Sequence, residues 1–167
     1  KFVVIDRNGA PTAEKHVILY NPPIMNEALG IRRSSLSVSN KLAAEFLTHN
    51  ITTIVFARMR RSVEVILTYL REHLTMIKRN PHLVVGYRGG YLPNERRAIE
   101  EGLRQGSIRG VVSTNALELG IDVGSLDVAI LCGYPGTLAS MRHQIGRAGR
   151  RQGVSARTRD RLADLRQ

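Results

Sequence analysis

Cysteine is almost absent from the 167-residue sequence, in which Cys132 is the only one. A single thiol cannot form an internal disulfide, and it cannot supply a cysteine-based zinc site. The five histidines are scattered along the chain without the paired spacing of metal ligands, so we predict no metal site from these residues. Such a chain is typical of a reducing compartment, and we expect it in the cytoplasm, or in the nucleus of a eukaryote.

Long hydrophobic runs are also missing. No stretch reaches the ~20 consecutive apolar residues that a membrane span needs, so we predict no membrane segment. The opening residues, KFVVID, form an apolar run too short for a signal peptide, and no small-residue cleavage site follows them. Because the sequence opens in mid-strand without a methionine, we expect that the chain was cut from a larger protein.

Two further absences concern phosphate chemistry. The sequence contains no glycine–lysine pair, so it cannot form the GxxxxGK[ST] loop that holds the β- and γ-phosphates of a nucleotide. No pair of acidic residues follows a predicted strand in the way that Mg²⁺ ligands do. Taken by itself, the chain therefore lacks the parts that usually cradle a nucleoside triphosphate.

Acidic residues are few relative to basic ones, 14 against 25, which gives a net charge of +11. Only four of the basic residues are lysine, and the remaining 21 are arginine. The planar guanidinium donates two parallel hydrogen bonds to a phosphate, so this bias favours a polyphosphate or nucleic-acid partner. From charge alone, a positive surface that only maintains solubility is an equally good explanation.

The hydrophobic pattern predicts alternating strands and helices from residue 51 onward. Apolar runs predict strands over 51–57, 83–87, 108–113 and 126–131, and helical spacing predicts helices over 63–77, 93–106 and from Thr137. Upstream, we predict a hairpin of residues 3–6 and 16–20, a loop over 24–38, and a helix capped by Ser39 or Asn40. This order indicates an α/β fold with an open, mostly parallel sheet, helices on both faces, and a β-hairpin entry segment.

The segment QIGRAGRR, residues 144–151, is the most informative one for chemistry. Arg147 and Arg150 lie three residues apart, which places both on one face of a helix. Gly146 and Gly149 are poor helix residues whose usual role is to allow a close approach. Two guanidiniums on such a surface suit the γ-phosphate of a nucleotide, whereas a solvated basic helix end is the simpler interpretation.

A second segment, residues 113–122, follows a predicted strand, where ligands of parallel sheets collect. Ser113 and Thr114 offer hydroxyl groups to a phosphate. Asp122, two residues after Gly120, can accept hydrogen bonds from sugar hydroxyls, although an aspartate in a turn is common without any function.

Two basic segments follow other predicted strands. Arg58 and Arg60 come directly after the strand over 51–57, and the pair Gly89 and Gly90 leads into a helix start that carries Arg96. Each segment has the donors to bind backbone phosphates. Taken singly, solvated arginines at the end of a strand or paired with nearby glutamates are the better interpretation of each.

Together, and in this order, the four segments resemble the second RecA-like lobe of superfamily 2 helicases of the DEAD/DEAH type. The resemblance covers roughly residues 51–151, and the residues before it resemble the entry segment of a branch related to RecQ-like and Lhr-like DNA repair enzymes. We therefore predict three parts: an entry hairpin and linker from a first lobe over 1–38, the helicase C-terminal RecA-like domain over 39–151, and a basic tail over 152–167.

The resemblance implies a role for each matching position. Arg150 would be the arginine finger and Arg147 its companion on the γ-phosphate, while Gly120, Asp122 and Gln144 would contact the nucleotide. Contacts to nucleic-acid phosphates would come from Arg58, Arg60, Gly89, Gly90, Arg96, Ser113 and Thr114. The sequence departs from the family pattern at Met59, where serine or threonine is common, and at His143, where glutamine is common.

The resemblance also implies partners and a reaction. ATP would bind between this lobe and a first RecA-like lobe of the same polypeptide, which would hold the phosphate loop and the Mg²⁺ ligands. The nucleic-acid partner would be a single strand, DNA rather than RNA in this branch, and the chain alone would not hydrolyse ATP. Two other functions stay open: a nucleic-acid-binding module without ATPase coupling, and a doubly wound domain that binds a phosphorylated metabolite.

Overall fold

The computed structural model describes residues 15–87, 89–117 and 126–149. Its elements in chain order are β1 (Ile24–Asn26), β2 (Ile31–Arg32), α1 (Ser35–Thr48), β3 (Thr53–Ala57), α2 (Arg60–Met76), β4 (Val84–Tyr87), α3 (Pro93–Gln105), β5 (Gly110–Ser113), β6 (Val128–Cys132) and α4 (Leu138–Ile145). Two short 3₁₀ turns, Pro81–Leu83 and Asn115–Leu117, complete the set. Within these ranges, none of the helices combines the length and the apolar character that crossing a bilayer requires.

The central sheet has four parallel strands in the order β4-β5-β3-β6. Ile54 pairs with Val111 on one side and with Ala129 on the other, so β3 is an interior strand. All five residues of β3 are buried, as expected for a strand that is covered on both faces. The predicted open, parallel α/β sheet is confirmed.

Side chains of successive β3 residues enter two different cores. Val55 packs in a cluster with residues of α1 and α2, including Leu47 and Leu70. Ile54 and Phe56 pack on the opposite face with Leu103 of α3 and with Leu117. The two-residue period of the strand therefore explains why helices lie on both faces of the sheet.

Helix ends follow local sequence chemistry at three predicted positions. Pro93 is the first residue of α3, and Gly106 ends that helix with a left-handed φ of 78°. The Thr137 hydroxyl accepts a hydrogen bond of 3.1 Å from the Ser140 amide and caps α4. These three predictions are confirmed.

The entry hairpin lies at a different place from the predicted one. Residues 3–6 are outside the described part of the chain, and residues 16–20 form no strand. Instead β1 and β2 pair antiparallel within the segment predicted as a loop. The physical reason is its turn, in which the Asn26 side chain accepts from the Leu29 amide and Gly30 adopts a φ of 63°.

Two local predictions near the helices are wrong. Helix α1 starts at Ser35 with Ser34 as its N-cap, so Ser39 and Asn40 lie inside the helix and do not cap it. The apolar spacing after Thr137 also predicts that Leu138 points inward, whereas Leu138 is the first residue of α4 and is 62% exposed. The predicted basic tail over 152–167 lies outside the described residues.

Candidate nucleic-acid and nucleotide interface

The carboxyl ends of β3, β4 and β5 meet at one edge of the sheet because the strands are parallel. The residues that follow them line a cleft of about 150 Å³, which we call the edge cleft. Its lining consists of Arg60, Val63, Glu64, Tyr87, Gly89, Thr114, Asn115 and Ala116. Three residues predicted from separate segments, Arg60, Gly89 and Thr114, are thus brought together by the fold.

Two polar residues of the edge cleft were missed by the sequence reasoning. Glu64 lies on α2 four residues after Arg60, so both side chains occupy the same helix face. Asn115 directly follows Thr114 and opens the 3₁₀ turn. The signal for both was their spacing from predicted residues, and they add a carboxylate and an amide to a cleft that otherwise carries one guanidinium.

Arg58 directly follows β3 and is exposed to solvent. It is not among the side chains that line the edge cleft, so the fold does not gather it with Arg60 and Thr114. Its exposure leaves it accessible to a ligand that extends beyond the cleft.

The hydroxyl of Ser113 is used inside the protein. Ser113 is fully buried, and its Oγ donates a hydrogen bond of 3.3 Å to the carbonyl oxygen of Tyr87 across the β4–β5 pairing. A buried hydroxyl with an internal acceptor offers no surface to a ligand. The Ser113 side chain is therefore not placed to contact a phosphate, whereas Thr114 is partly exposed in the cleft.

Arg96 also donates to protein atoms. Its Nε donates to the carbonyl oxygen of Tyr91 at 3.2 Å, and its Nη2 donates to the carbonyl oxygen of Gly89 at 3.0 Å. The guanidinium that was predicted to bind a phosphate thus binds the backbone of residues 89–92, which we call the glycine loop. The Tyr91 hydroxyl fixes the other end of that loop by donating to the Gly86 carbonyl oxygen at 3.1 Å.

Tyr87 forms the floor of the edge cleft. Its ring is 2% exposed and packs edge-on against Tyr91, with ring centroids 5.7 Å apart. Burial raises the pKa of the Tyr87 phenol above its ordinary value of 10.0; the positive charge of Arg96 opposes this shift, and Glu100 adds to it. The phenol is therefore neutral at physiological pH, and it contributes packing surface to the edge cleft but no charge.

Two of the candidate nucleotide residues, Gln144 and Arg147, lie on α4 and just after it. Gln144 is 4% exposed and its amide donates to the Ser140 hydroxyl at 3.1 Å. Arg147 follows the end of the helix and is partly buried. Beyond it, Ala148 bridges Leu126, and the Gly149 amide donates to the Leu126 carbonyl oxygen at 2.8 Å. Gly120, Asp122 and Arg150 lie outside the described residues.

The bridge places Ala148, the residue after Arg147, beside Leu126. Helix α4 also contacts the Asn115–Leu117 turn, two residues of which line the edge cleft. Helix α4, which ends two residues before Arg147, and the edge cleft therefore share this one short element. No cluster of three His, Cys, Asp or Glu side chains suited to a metal occurs within the described ranges.

The sequence matches the family model of the helicase conserved C-terminal domain over residues 38–152. The chain belongs to this family. Its members form the second, RecA-like lobe of superfamily 2 helicases, so the resemblance carried by the four segments is confirmed. The four-stranded parallel sheet has the RecA-like arrangement expected of such a lobe.

Relatives of this helicase C-terminal domain include YprA of Bacillus subtilis, described as an uncharacterized ATP-dependent helicase. It is 56% identical over 152 residues, which are 91% of this chain and 20% of YprA. The DUF1998 helicase MrfA, solved bound to DNA and AMPPNP, is 55% identical with a TM-score of 0.82, covering 89% of this chain and 20% of MrfA. The chain thus spans about a fifth of the length of these relatives.

A third relative is the helicase Lhr of Mycobacterium smegmatis, solved bound to ssDNA and AMP-PNP. It is 35% identical with a TM-score of 0.58, and the match covers 70% of this chain and 15% of Lhr. The likeness to an Lhr helicase agrees with the branch that the entry segment and the motifs predicted.

Proposed function

We propose that this chain is the second lobe of an ATP-dependent DNA helicase or translocase, and that its edge cleft holds the backbone of one DNA strand. The observation that carries the proposal is the convergence of Arg60, Gly89 and Thr114 from the ends of three parallel strands. A guanidinium, a glycine and a hydroxyl suit phosphate oxygens and read no base edge. Additional support comes from MrfA and Lhr, whose structures hold DNA or ssDNA.

ATP hydrolysis by such a helicase needs groups from two lobes. We propose that Arg147 and Arg150 approach the γ-phosphate across the cleft between the lobes, and that Gly120, Asp122 and Gln144 contact the nucleotide. An arginine that meets charge developing in the transition state typically accelerates phosphoryl transfer by ~10³–10⁵. The AMPPNP bound to MrfA supports nucleotide use in this family.

Mg²⁺ would offset charge on the β- and γ-phosphates when ATP is bound. The described residues of this chain offer no cluster of carboxylates for it. We therefore propose that its ligands lie on the first lobe and assign no Mg²⁺ ligand to this chain.

The strand-binding part of the proposal is tested by Arg60→Ala in the two-lobe protein, with Arg61→Ala as the matched control. Both arginines are exposed and adjacent, but only Arg60 lines the edge cleft. Loss of one phosphate contact on a single strand lowers the slope of log affinity against log salt by about 0.7. We expect that change, with weaker binding of a labelled oligonucleotide, for Arg60→Ala alone.

Equal effects of Arg60→Ala and Arg61→Ala would show that general charge, and not the cleft, attracts the strand. If the unsubstituted protein binds no oligonucleotide but binds a small phosphorylated metabolite, the helicase proposal itself is wrong.

The nucleotide part is tested by Arg150→Ala, with Arg142→Ala as control because Arg142 is an exposed arginine on α4. We expect Arg150→Ala to abolish DNA-stimulated ATP turnover while nucleotide affinity changes little, and Arg142→Ala to retain turnover. DNA-stimulated turnover that survives the double change Arg147→Ala/Arg150→Ala would instead favour a nucleic-acid-binding module without ATPase coupling through this lobe.

A further inference from the structure

In the glycine loop between β4 and α3, the side chain of Arg96 binds two backbone carbonyls. Arg96 donates from Nη2 to the Gly89 carbonyl oxygen at 3.0 Å and from Nε to the Tyr91 carbonyl oxygen at 3.2 Å. The two acceptors belong to the Gly89–Gly90 and Tyr91–Leu92 peptide units, so the guanidinium fixes the orientation of both units. A planar guanidinium can do this because its N–H groups are on separate nitrogens, whereas all N–H groups of an ammonium are on one nitrogen.

The orientation of each carbonyl determines where the adjacent amide points. In a trans peptide the N–H lies opposite the C=O, and the described backbone contains no cis peptide. Because the Gly89 carbonyl faces Arg96, the Gly90 N–H points away from that guanidinium. The Tyr91 carbonyl also faces Arg96, and the Leu92 N–H on the opposite side donates to the Glu95 carboxylate at 2.9 Å.

The two amides therefore differ in their use. The Leu92 N–H is taken by the capping carboxylate at the start of α3. Within the described residues, the Gly90 N–H has no hydrogen-bond acceptor, and Gly90 is exposed to solvent with no atom within 4 Å of where a Cβ would stand. The neighbouring Gly89 lies against Ala116 of the edge cleft. A Cβ placed on Gly89 would stand 3.6 Å from the Cβ of Ala116.

We propose that Arg96 is a positioning residue for strand binding, which holds the Gly89–Gly90 peptide so that the Gly90 N–H donates to a DNA phosphate at the mouth of the edge cleft. This rests on the proposed function of the cleft. It assigns the phosphate contact at this loop to a neutral backbone donor, and it gives the arginine a role on the protein side.

Arg97 provides a matched control, since it is the next residue of α3, carries the same charge and is exposed. The test is titration of a labelled single-stranded oligonucleotide with the two-lobe protein at several salt concentrations. We expect Arg96→Ala to weaken binding by about tenfold or more, as for loss of a hydrogen bond to a charged group. Its salt slope should match that of Arg97→Ala, which should weaken binding much less.

A direct phosphate contact by Arg96 gives a different result. The slope would then fall by about 0.7 relative to Arg97→Ala, as for any ligand of a single-strand phosphate. That outcome, or equal affinities for Arg96→Ala and Arg97→Ala, would overturn the positioning role.

A double-mutant cycle tests whether Arg96 acts through the Gly90 amide. Gly90→Pro removes that N–H, so combining it with Arg96→Ala should weaken binding no further than the stronger single change, whereas combining it with Arg97→Ala should be additive. Additive losses in the first pair would contradict the inference. In the same proteins, the DNA concentration for half-maximal ATPase stimulation should rise for Arg96→Ala while the maximal rate is kept, which a general loss of folding would not produce.

Arg96→Lys extends the test if Arg96→Ala does not fold. A lysine retains the charge but reaches only one of the two carbonyls, so binding should lie between that of the unsubstituted protein and that of Gly90→Pro; full affinity would refute the need for two bonds. If the unsubstituted protein does not bind the oligonucleotide, the proposed function fails; if it binds but Arg96 and Arg97 are equivalent, only this inference fails.

Discussion

Ser113 and Thr114 are neighbours with similar hydroxyl groups, yet the structure predicts opposite consequences for their removal. Ser113 is fully buried and donates to the Tyr87 carbonyl oxygen at 3.3 Å, whereas Thr114 is partly exposed in the edge cleft. Ser113→Ala should therefore reduce stability and spare strand affinity. Thr114→Val, which keeps the side-chain shape, should reduce strand affinity and spare stability.

The magnitudes follow from the kind of hydrogen bond that each change removes. A neutral buried bond contributes about 0.5–1.5 kcal/mol to folding, which lowers the melting temperature of a chain of this size by about 2–5 °C. A bond from a hydroxyl to a charged phosphate contributes about 1.5–3 kcal/mol, so Thr114→Val should weaken oligonucleotide binding by roughly 10- to 150-fold.

Thermal denaturation and fluorescence anisotropy on the same two variants measure both quantities. The prediction concerns a crossed pattern, so each variant is the control for the other. If both variants lose strand affinity equally with unchanged melting temperatures, Ser113 contacts the strand after all, and the burial of its hydroxyl does not describe the bound state.

Three further predictions concern stability and turnover. Asp127→Ala should lower the free energy of unfolding by about 2–3 kcal/mol in urea titrations. The reason is that Asp127 accepts hydrogen bonds from the Thr52 amide at 3.0 Å and from the Thr52 hydroxyl at 2.7 Å. An unchanged free energy would show that these two bonds contribute nothing. Because the folded pKa of Tyr87 is raised, its contribution to stability is complete below about pH 10 and is lost as the pH rises through the folded pKa. Tyr87→Phe should flatten that alkaline decline in melting temperature, and identical curves for both proteins would refute the assignment. The 167-residue chain alone should show no ATP hydrolysis, and turnover close to that of the two-lobe protein would contradict the need for a partner lobe.

The parts of the fold that could be predicted depend on local chemistry. Buried runs such as Thr53–Ala57 and end signals such as Pro93 and Thr137 act over a few residues, so the sequence displays them directly. The predicted entry hairpin relied on the apolar runs over 3–6 and 16–20. The turn that the structure describes instead uses Asn26 and Gly30, which lie in a mixed, polar segment without an apolar run to mark its strands.

Part of the candidate site, namely Arg60, Gly89 and Thr114, was predictable from the sequence, but the direction of its side chains was not. Parallel strands ensure that the residues after β3 and β5 share an edge, and this put Arg60 and Thr114 in one cleft. Whether a donor faces solvent or the protein depends on neighbours distant in sequence. Arg96 turns to two carbonyls of the preceding loop and Ser113 to a carbonyl of the adjacent strand, which no spacing in the sequence reveals.

The 3₁₀ turn Asn115–Leu117 faces the edge cleft on one side and contacts a helix on the other. Asn115 and Ala116 line the edge cleft, and the same turn contacts α4, which leads to Arg147. Leu117 anchors it with no exposed surface, so the turn cannot shift alone without opening a void in the core. We therefore expect a displacement of this turn to alter the edge cleft and the position of α4 together.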